Sequence, residues 1–518
     1  MLVQATAAIR RSGTTTLSNI PNEIYFHILG NLKPANLERW QWHDRATKQL
    51  MLNLATICRL FSVIVQPWLF ETLRFDAKEE DLDIPIGSRI ESHVSFCRSI
   101  LDGDQNARAL AKHVKKCVFH SFSMRDVESQ WCFEGILSLY SAAIRRMPSL
   151  QELSFIKTPL TKDLVKAIIS LRQLTGLKLE ECLLAEDVKD TAVQKLSSLK
   201  LKQIDGGFGD PNFVNSMPMK DLVWALKPLS CINILSTLHI GATNHPMMIQ
   251  LLVDSKKNLP LESLEVRGLT MSELQPLFRL CPRIPFLKSL RIIDDPWFPE
   301  AYRHVDIPKD ALPALEDLEI PLELCRSLIP GRPIVSLKTS GYMPEEWPHI
   351  ESLWSSSRPV STLQLSFSSF SRIRLWEKFP DVRTLRIRFA QLDIVMSTVP
   401  PLTRVDFLID KTVQKVIDTW PAYPPLYSLV LDFFSWSESL NLAEQHDWIS
   451  RIISPCIPSL RHCQVSRYIE WFYSESNASW KPTIIPSEEQ AVLKLLRTTK
   501  VTHVDYRDCF QKFLASSY

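Results

Sequence analysis

The sequence is poor in glycine, with 13 among 518 residues against 34 prolines. Its eleven cysteines run from Cys58 to Cys509 and include no CxxC pair, which removes paired-cysteine zinc sites and dithiol redox motifs. Several sit in apolar runs such as Leu54-Ala55-Thr56-Ile57-Cys58, as buried thiols of a reducing compartment do, so cytosol or nucleus is expected. No uninterrupted apolar run reaches the ~18 residues of a membrane span, and no membrane association is expected. With 60 Lys and Arg against 57 Asp and Glu, the net charge is only +3 and no long basic run stands out. That balance gives no support to a nucleic-acid groove or a polybasic lipid patch.

Enzymatic motifs are also missing. The twelve histidines form no metal-ligand spacing, and there is neither HExxH nor GxSxG. Gly206-Gly207-Phe208-Gly209 is followed by no Lys-Ser/Thr and reads as a turn rather than a phosphate cradle. Cys509 lies near His503 and Asp505, but strand alternation puts only the latter two on one face, leaving Cys509 beside Phe510 as a buried thiol. Neither catalysis, nor a metal, nor any cofactor is expected. The first acid is Glu23, and Arg10 and Arg11 precede it, so 1–16 is either a disordered leader, the favoured reading, or a presequence.

What is present is a folded composition, 45% hydrophobic and 23% charged, in a chain too long for one compact core. A period accounts for the length. In MPSLQELSF, IPFLKSLRI, LPALEDLEI, FPDVRTLRI, PPLTRVDFL, PPLYSLVLD and IPSLRHCQV, a proline stands two places before the pattern aliphatic-x-x-aliphatic-x-apolar. The pattern recurs without that proline in LTGLKL, LSTLHI, LESLEV, VSTLQL and VTHVDY. Its second anchor falls at Leu153, Leu177, Leu238, Leu264, Leu290, Leu318, Leu337, Leu363, Leu385, Val405, Leu429, Cys463 and Val504. A further strand is expected at Leu201 to Asp205. Anchors mostly about 20 to 30 residues apart have the interval of stacked strand-and-helix repeats. Each pattern predicts a strand with alternate residues inward, and the proline stops the helix before it. Helical spacing between strands appears at Thr161 to Ile169 and Ser487 to Leu496, with Thr161 and Ser487 as N-caps.

These repeats resemble the leucine-rich-repeat family over roughly Val114 to Tyr518, with its polar or cysteine ladder position clearest at Cys182. The resemblance implies an α/β solenoid, a horseshoe whose strands line one face. Polar residues flanking the second anchors make that face a partner-binding surface, with His239, Glu265, Arg267, Arg291, Gln364, Arg386, Arg388 and Asp406 as candidates. Arg267, Arg291, Arg386 and Arg388 form the nearest approach to an acid-binding patch, although charged flanks are also what any solvated strand face needs. The aromatic stretch Ser466 to Pro486 is either an exposed binding loop or packs on the last repeats, and Phe510, Phe513 and Leu514 suit a closing helix.

At the other end, NIPNEIYFHILGNL is apolar over much of a helical circumference: Ile24, Tyr25, Phe26, Ile28, Leu29 and Leu32 leave only Glu23, His27, Gly30 and Asn31 on a polar side. A helix then follows over Leu50 to Phe61, and another over Val63 to Phe70 with a break at Pro67. Together these segments resemble an F-box over Leu17 to Phe75, though Phe61 replaces a common tryptophan and the interval with Trp40, Trp42 and His43 is long. The resemblance implies a three-helix domain docking a Skp-type adaptor, and through it a cullin-RING ubiquitin ligase, by Ile20, Pro21, Ile24, Ile28, Leu29, Leu32, Ile57 and Phe61. Residues 76–113 would be a linker or the amino-terminal cap of the solenoid at 114–518. The expectation is a non-catalytic substrate receptor holding an unidentified target protein; the alternative is a repeat scaffold unconnected with ubiquitin, its first helices serving as a cap.

Overall fold

A computed structural model describes residues 24–25, 45–76, 86–122, 127–180, 182–184, 188, 203–206, 234–240, 249–250, 252–253, 258–267, 271–293, 307–308, 310–340, 350–389, 425–433, 442–466, 469–476 and 478–485. Two compact units divide the chain, Met1–Leu235 and Ser236–Tyr518.

The first unit opens its described part with helices α1 (Arg45–Ile57) and α2 (Arg59–Leu69). Met51 and Val65 are buried between them, with Leu54, Ala55, Trp68 and Leu69 packed around. The chain breaks at Cys58, whose φ of −157° is extended, and not at Pro67 as the sequence suggests. Pro67 is carried inside the last turn of α2; the carbonyl it leaves without an N–H belongs to Val63, an exposed residue that water can reach.

Two residues after α2 comes strand β1 (Thr72–Asp76), the first of a parallel series with β2 (Lys116–His120), β3 (Glu152–Ile156), β5 (Gly176–Glu180) and β7 (Gln203–Gly206). Between these strands lie α3 (Ile86–Asp102), α4 (Gln105–Ala111), α5 (Val127–Ile144) and α6 (Lys162–Ser170). A short separate pair, β4 (Pro159–Leu160) with β6 (Leu183–Leu184), runs beside them. The repeating register starts at Thr72, ahead of Val114, and the stretch expected as a linker or amino-terminal cap carries α3 and α4. Leu73, Cys117, Leu153, Leu177 and Ile204 stand in one row across the strands. Two places on, Phe75, Phe119 and Phe155 stack with ring centroids 4.9 Å apart at each step.

In the second unit, β8 (Thr237–Ile240), β9 (Ser263–Arg267), β10 (Ser289–Ile293), β11 (Asp317–Pro321), β12 (Ser336–Ser340), β13 (Thr362–Ser366), β14 (Thr384–Phe389), β15 (Ser428–Phe433) and β16 (His462–Gln464) pair in parallel in chain order. Among the described residues the connectors are short 3-10 or helical turns, with longer helical stretches at α7 (Met271–Leu280) and over 442–456. The second anchors Leu238, Leu264, Leu290, Leu318, Leu337, Leu363, Leu385, Leu429 and Cys463 fall in one row and are all buried. β14 bonds directly to β15; Val405 and Val504 lie outside the described residues. The stretch after β16 is neither a loop nor a further parallel strand: β17 (Ile469–Ser474) and β18 (Ser479–Ile484) form an antiparallel hairpin on the end of the series. Trp471 is buried there and donates its indole N–H to the buried Gln445 Oε1 at 3.0 Å, and Trp480 is buried too, while Phe472 is exposed.

The strands are tied at their entrances by shared carbonyls. Glu71 O accepts Lys115 N and Lys116 N at 2.8 and 3.0 Å, Lys115 O accepts Gln151 N and Glu152 N, and Gln151 O accepts Thr175 N and Gly176 N. The same two-to-one bond recurs at Ser236, Glu262, Lys288, Glu316, Val335, Ser361, Arg383 and Tyr427 in the second unit. Cys182 Sγ donates to Phe155 O, and Thr158 Oγ1, two residues past the end of its own strand just as Cys182 is past β5, donates to Phe119 O. In the second unit a buried arginine ties neighbouring connectors as well. Arg332, 1% exposed, donates to Ala311 O, Pro308 O and Ser327 O at 2.8, 2.8 and 2.9 Å.

Leu363→Ala should lower the unfolding free energy by ~3 kcal/mol, the usual cost of emptying a fully buried leucine site, measurable by urea denaturation. Thiol titration gives a second check. Cys97 and Cys281 are pushed up to about 12 by burial, and Cys117, Cys325 and Cys463 are likewise raised, so these five should resist a thiol reagent before denaturant is added, while exposed Cys58 and half-buried Cys456 react.

Candidate functional site

Strand alternation turns the anchors inward, and their neighbours outward, into three rows across the second unit. The first is small and hydroxyl-rich: Thr237, Ser263, Ser289, Asp317, Ser336, Thr362, Thr384, Ser428 and His462 stand in register. The second carries long polar side chains: His239, Glu265, Arg291, Glu319, Lys338, Gln364, Arg386, then Val430 and Gln464. On the third, Arg267 belongs to β9, and Arg388 lies between Ser366 and Asp432. Seven of the eight strand-face residues expected from sequence thus come together on one face; Asp406 lies outside the described residues.

The charges are not equivalent. Arg267 Nε is 2.6 Å from Glu265 Oε1, whose side chain is 8% exposed, and Arg291 stands 3.8 Å from each of Glu265, Asp317 and Glu319. Those two arginines share their charge with carboxylates of the chain itself, Arg267 at close range and Arg291 near the outer limit of pairing. Lys338 reaches only the outer limit of pairing, 3.9 Å from Asp317 and 4.0 Å from Glu319. Arg386 donates from Nη2 to Asp432 at 2.7 Å, and Arg388 approaches the same carboxylate at 3.8 Å. Burial, and then the charge of Arg386, hold the Arg388 guanidinium below the ordinary arginine value. Lys338, which the spacing puts on the same strand face, has the same place in the repeat as Arg386.

One trio resembles catalytic machinery. Ser428 Oγ lies 2.7 Å from His462 Nδ1, and His462 Nε2 is 3.9 Å from Glu470. A relay needs the second imidazole nitrogen hydrogen-bonded to its carboxylate, and 3.9 Å is too long. Ser428 also occupies the hydroxyl row, where Ser289 Oγ makes the same kind of cross-strand bond to Asp317 at 3.1 Å. The trio is a strand-to-strand clasp. Away from this face, a cavity of about 280 Å³ opens between Trp354, Arg358, Lys378 and Phe379, but Lys378 already lies 5.2 Å over the Trp354 ring and Arg358 pairs with Glu316 at 3.0 Å. Residues His503, Asp505 and Cys509 lie outside the described residues.

In the first unit, Ile24 and Ile57 are exposed, while Phe61 is half-buried with its ring 5.7 Å from Tyr25. Ile20, Pro21, Ile28, Leu29 and Leu32 lie outside the described residues.

No family model matches this sequence, and no curated protein matches it. Among solved structures it is similar to an internalin from Listeria monocytogenes at 12% identity, over 66% of this chain and 88% of that one, with a TM-score of 0.30. The register and burial given above, rather than that likeness, carry the description of the fold.

Burial lowers the pKa of His462 below 6.5, with Glu470 acting in the opposite sense. The unfolded chain therefore binds this proton more readily, and the clasp's contribution is present above the unfolded pKa and lost as pH falls through it. Between pH 7 and pH 5 the wild-type chain should lose more stability than His462→Gln, read by denaturant midpoints at each pH.

Proposed function

We propose that this chain is a non-catalytic substrate receptor of a cullin-RING ubiquitin ligase, with an F-box at its amino-terminal end binding a Skp-type adaptor and leucine-rich repeats binding the target. The observation that carries the reading is the apolar surplus on the first helices. Ile24, Leu50, Ile57 and Val63 are 48%, 45%, 63% and 53% exposed, although Met51 and Val65 already close the contact between α1 and α2. An apolar flank that the helix pair does not use for its own packing is better covered by a partner protein than by water. The segment NIPNEIYFHILGNL and the run ATICRLF, which resemble the F-box, border the same residues. The repeats supply the second half of a receptor, an extended polar strand face of fixed register. Bringing target and ligase together acts by proximity, which needs no chemistry from this chain.

Ile57→Asp combined with Val63→Asp should abolish capture by purified Skp-type adaptor while leaving the thermal unfolding midpoint nearly unchanged, because neither side chain belongs to the buried contact. Undiminished capture would remove the ligase reading and leave a repeat scaffold.

A further inference from the structure

The strand face is unevenly charged, and the imbalance names the partner chemistry it fits. From β9 to β11 the long-residue row alternates: Glu265, Arg291, Glu319. From β12 to β14 it reads Lys338, Gln364, Arg386 and carries no carboxylate. The acids reaching Lys338 are those already grouped around Arg291, and both contacts are 3.9 Å or longer. Arg386 has Asp432 on one Nη, yet its Nε–H is buried and makes no hydrogen bond among the described residues. Both side chains are accessible, 25% exposed for Lys338 and 42% for Arg386.

We infer that Lys338 and Arg386, spanning Gln364, receive an acidic segment of the target protein lying across β12, β13 and β14, with the hydroxyls of Ser336, Thr362 and Thr384 alongside it. This rests on the reading of the strand face as the target-binding surface and says what that surface selects. Asp432 shows the chemistry in miniature, since a carboxylate is what Arg386 already holds. Spacing narrows the segment further. Two strand steps separate Lys338 from Arg386, about 9.6 Å at ~4.8 Å per step. A polyproline-type extended chain rises ~3.1 Å per residue with three residues per turn, so acids at every third position share one side at ~9.3 Å. Such a backbone is solvated and needs no edge strand to pair with, which suits a face whose own backbone bonds are all between neighbouring strands.

The test uses the full chain and a fluorescein-labelled peptide of repeated Glu-Pro-Ser triplets, with a Lys-Pro-Ser peptide and a phosphoserine peptide of equal charge as comparisons, read by fluorescence anisotropy. Expected is salt-sensitive binding of the Glu peptide and not of the Lys peptide, weakened roughly five- to tenfold by K338Q or R386Q and less than about twofold by R291Q. Equal weakening by R291Q, or equal binding of both peptide charges, would overturn the assignment. A phosphoserine peptide bound tenfold tighter or more would transfer the site to phosphate and overturn the choice of carboxylate. K338Q decides alone if R386Q does not fold. Adaptor capture by the same preparations separates the two readings: retained capture without Glu-peptide binding sinks this inference only, and lost capture with Glu-peptide binding sinks only the ligase assignment.

Discussion

Most of the parallel strands among the described residues begin beside a carbonyl that accepts two successive N–H groups from the next repeat. Glu71, Lys115 and Gln151 start that series in the first unit, and Ser236 through Tyr427 continue it in the second. A carbonyl has two lone pairs, so the arrangement satisfies two donors with one acceptor and leaves no freedom to slide. A one-residue slip would turn every leucine of the anchor row to water and every charged neighbour into the core. Leu238 to Cys463 can stack because this clamp holds them level. The clamp also explains why proline and not glycine dominates. The residue before each strand must be extended with its carbonyl presented, and proline upstream prepares that turn without needing a donor of its own.

Function follows from the same constraint. With the anchors pinned inward, the alternate residues have no choice but to form rows, and adjacent long side chains meet across strands at ion-pairing distance. Most of the face is consumed by this: Arg267 with Glu265, Arg291 among three acids, Ser428 with His462. What distinguishes a residue there is not its charge but whether its neighbour in the row cancels it. Arg291 and Arg386 are the same residue type at the same repeat position, yet Arg291 stands among three acids at 3.8 Å, while Arg386 borders Gln364 in its own row and takes its one carboxylate, Asp432 at 2.7 Å, from the row beyond.

This is also why part of the site was legible in the sequence and part was not. Anchors such as Leu290, Leu318 and Leu385 announce themselves by spacing and by the preceding proline, and the strand-face positions follow by counting one residue on. Charge pairing does not, because Glu265 and Arg291 are 26 residues apart in the chain's own pattern and become neighbours only when the register is known. Strand β1 was hidden differently. Its Leu73 lies in PWLFETLRF, a run whose apolar residues read equally as helix, and a short apolar stretch does not declare its period. The hairpin at Ile469–Ser474 and Ser479–Ile484 was obscured by Pro482, which breaks strand propensity; among the described residues β18 pairs with β17 alone, and a strand paired on one side tolerates the missing donor.

The junction between helices and repeats in the first unit bears on how a receptor of this kind would act. Only Phe70 and Glu71 separate α2 from β1. Neither is slack: Phe70 N–H bonds Gln66 O, and the Glu71 carbonyl is the first of the shared acceptors, while its carboxylate holds Lys115 at 2.9 Å. A flexible tether of even modest length would let an attached protein sample a large volume, diluting its effective concentration as the tether lengthens. Here the helix pair is instead continuous with the first rung of the ladder, so whatever binds α1 and α2 is oriented by the same carbonyl that sets the register of β1 and β2. Rigidity at that joint and register along the strands are therefore one property, produced by one type of hydrogen bond.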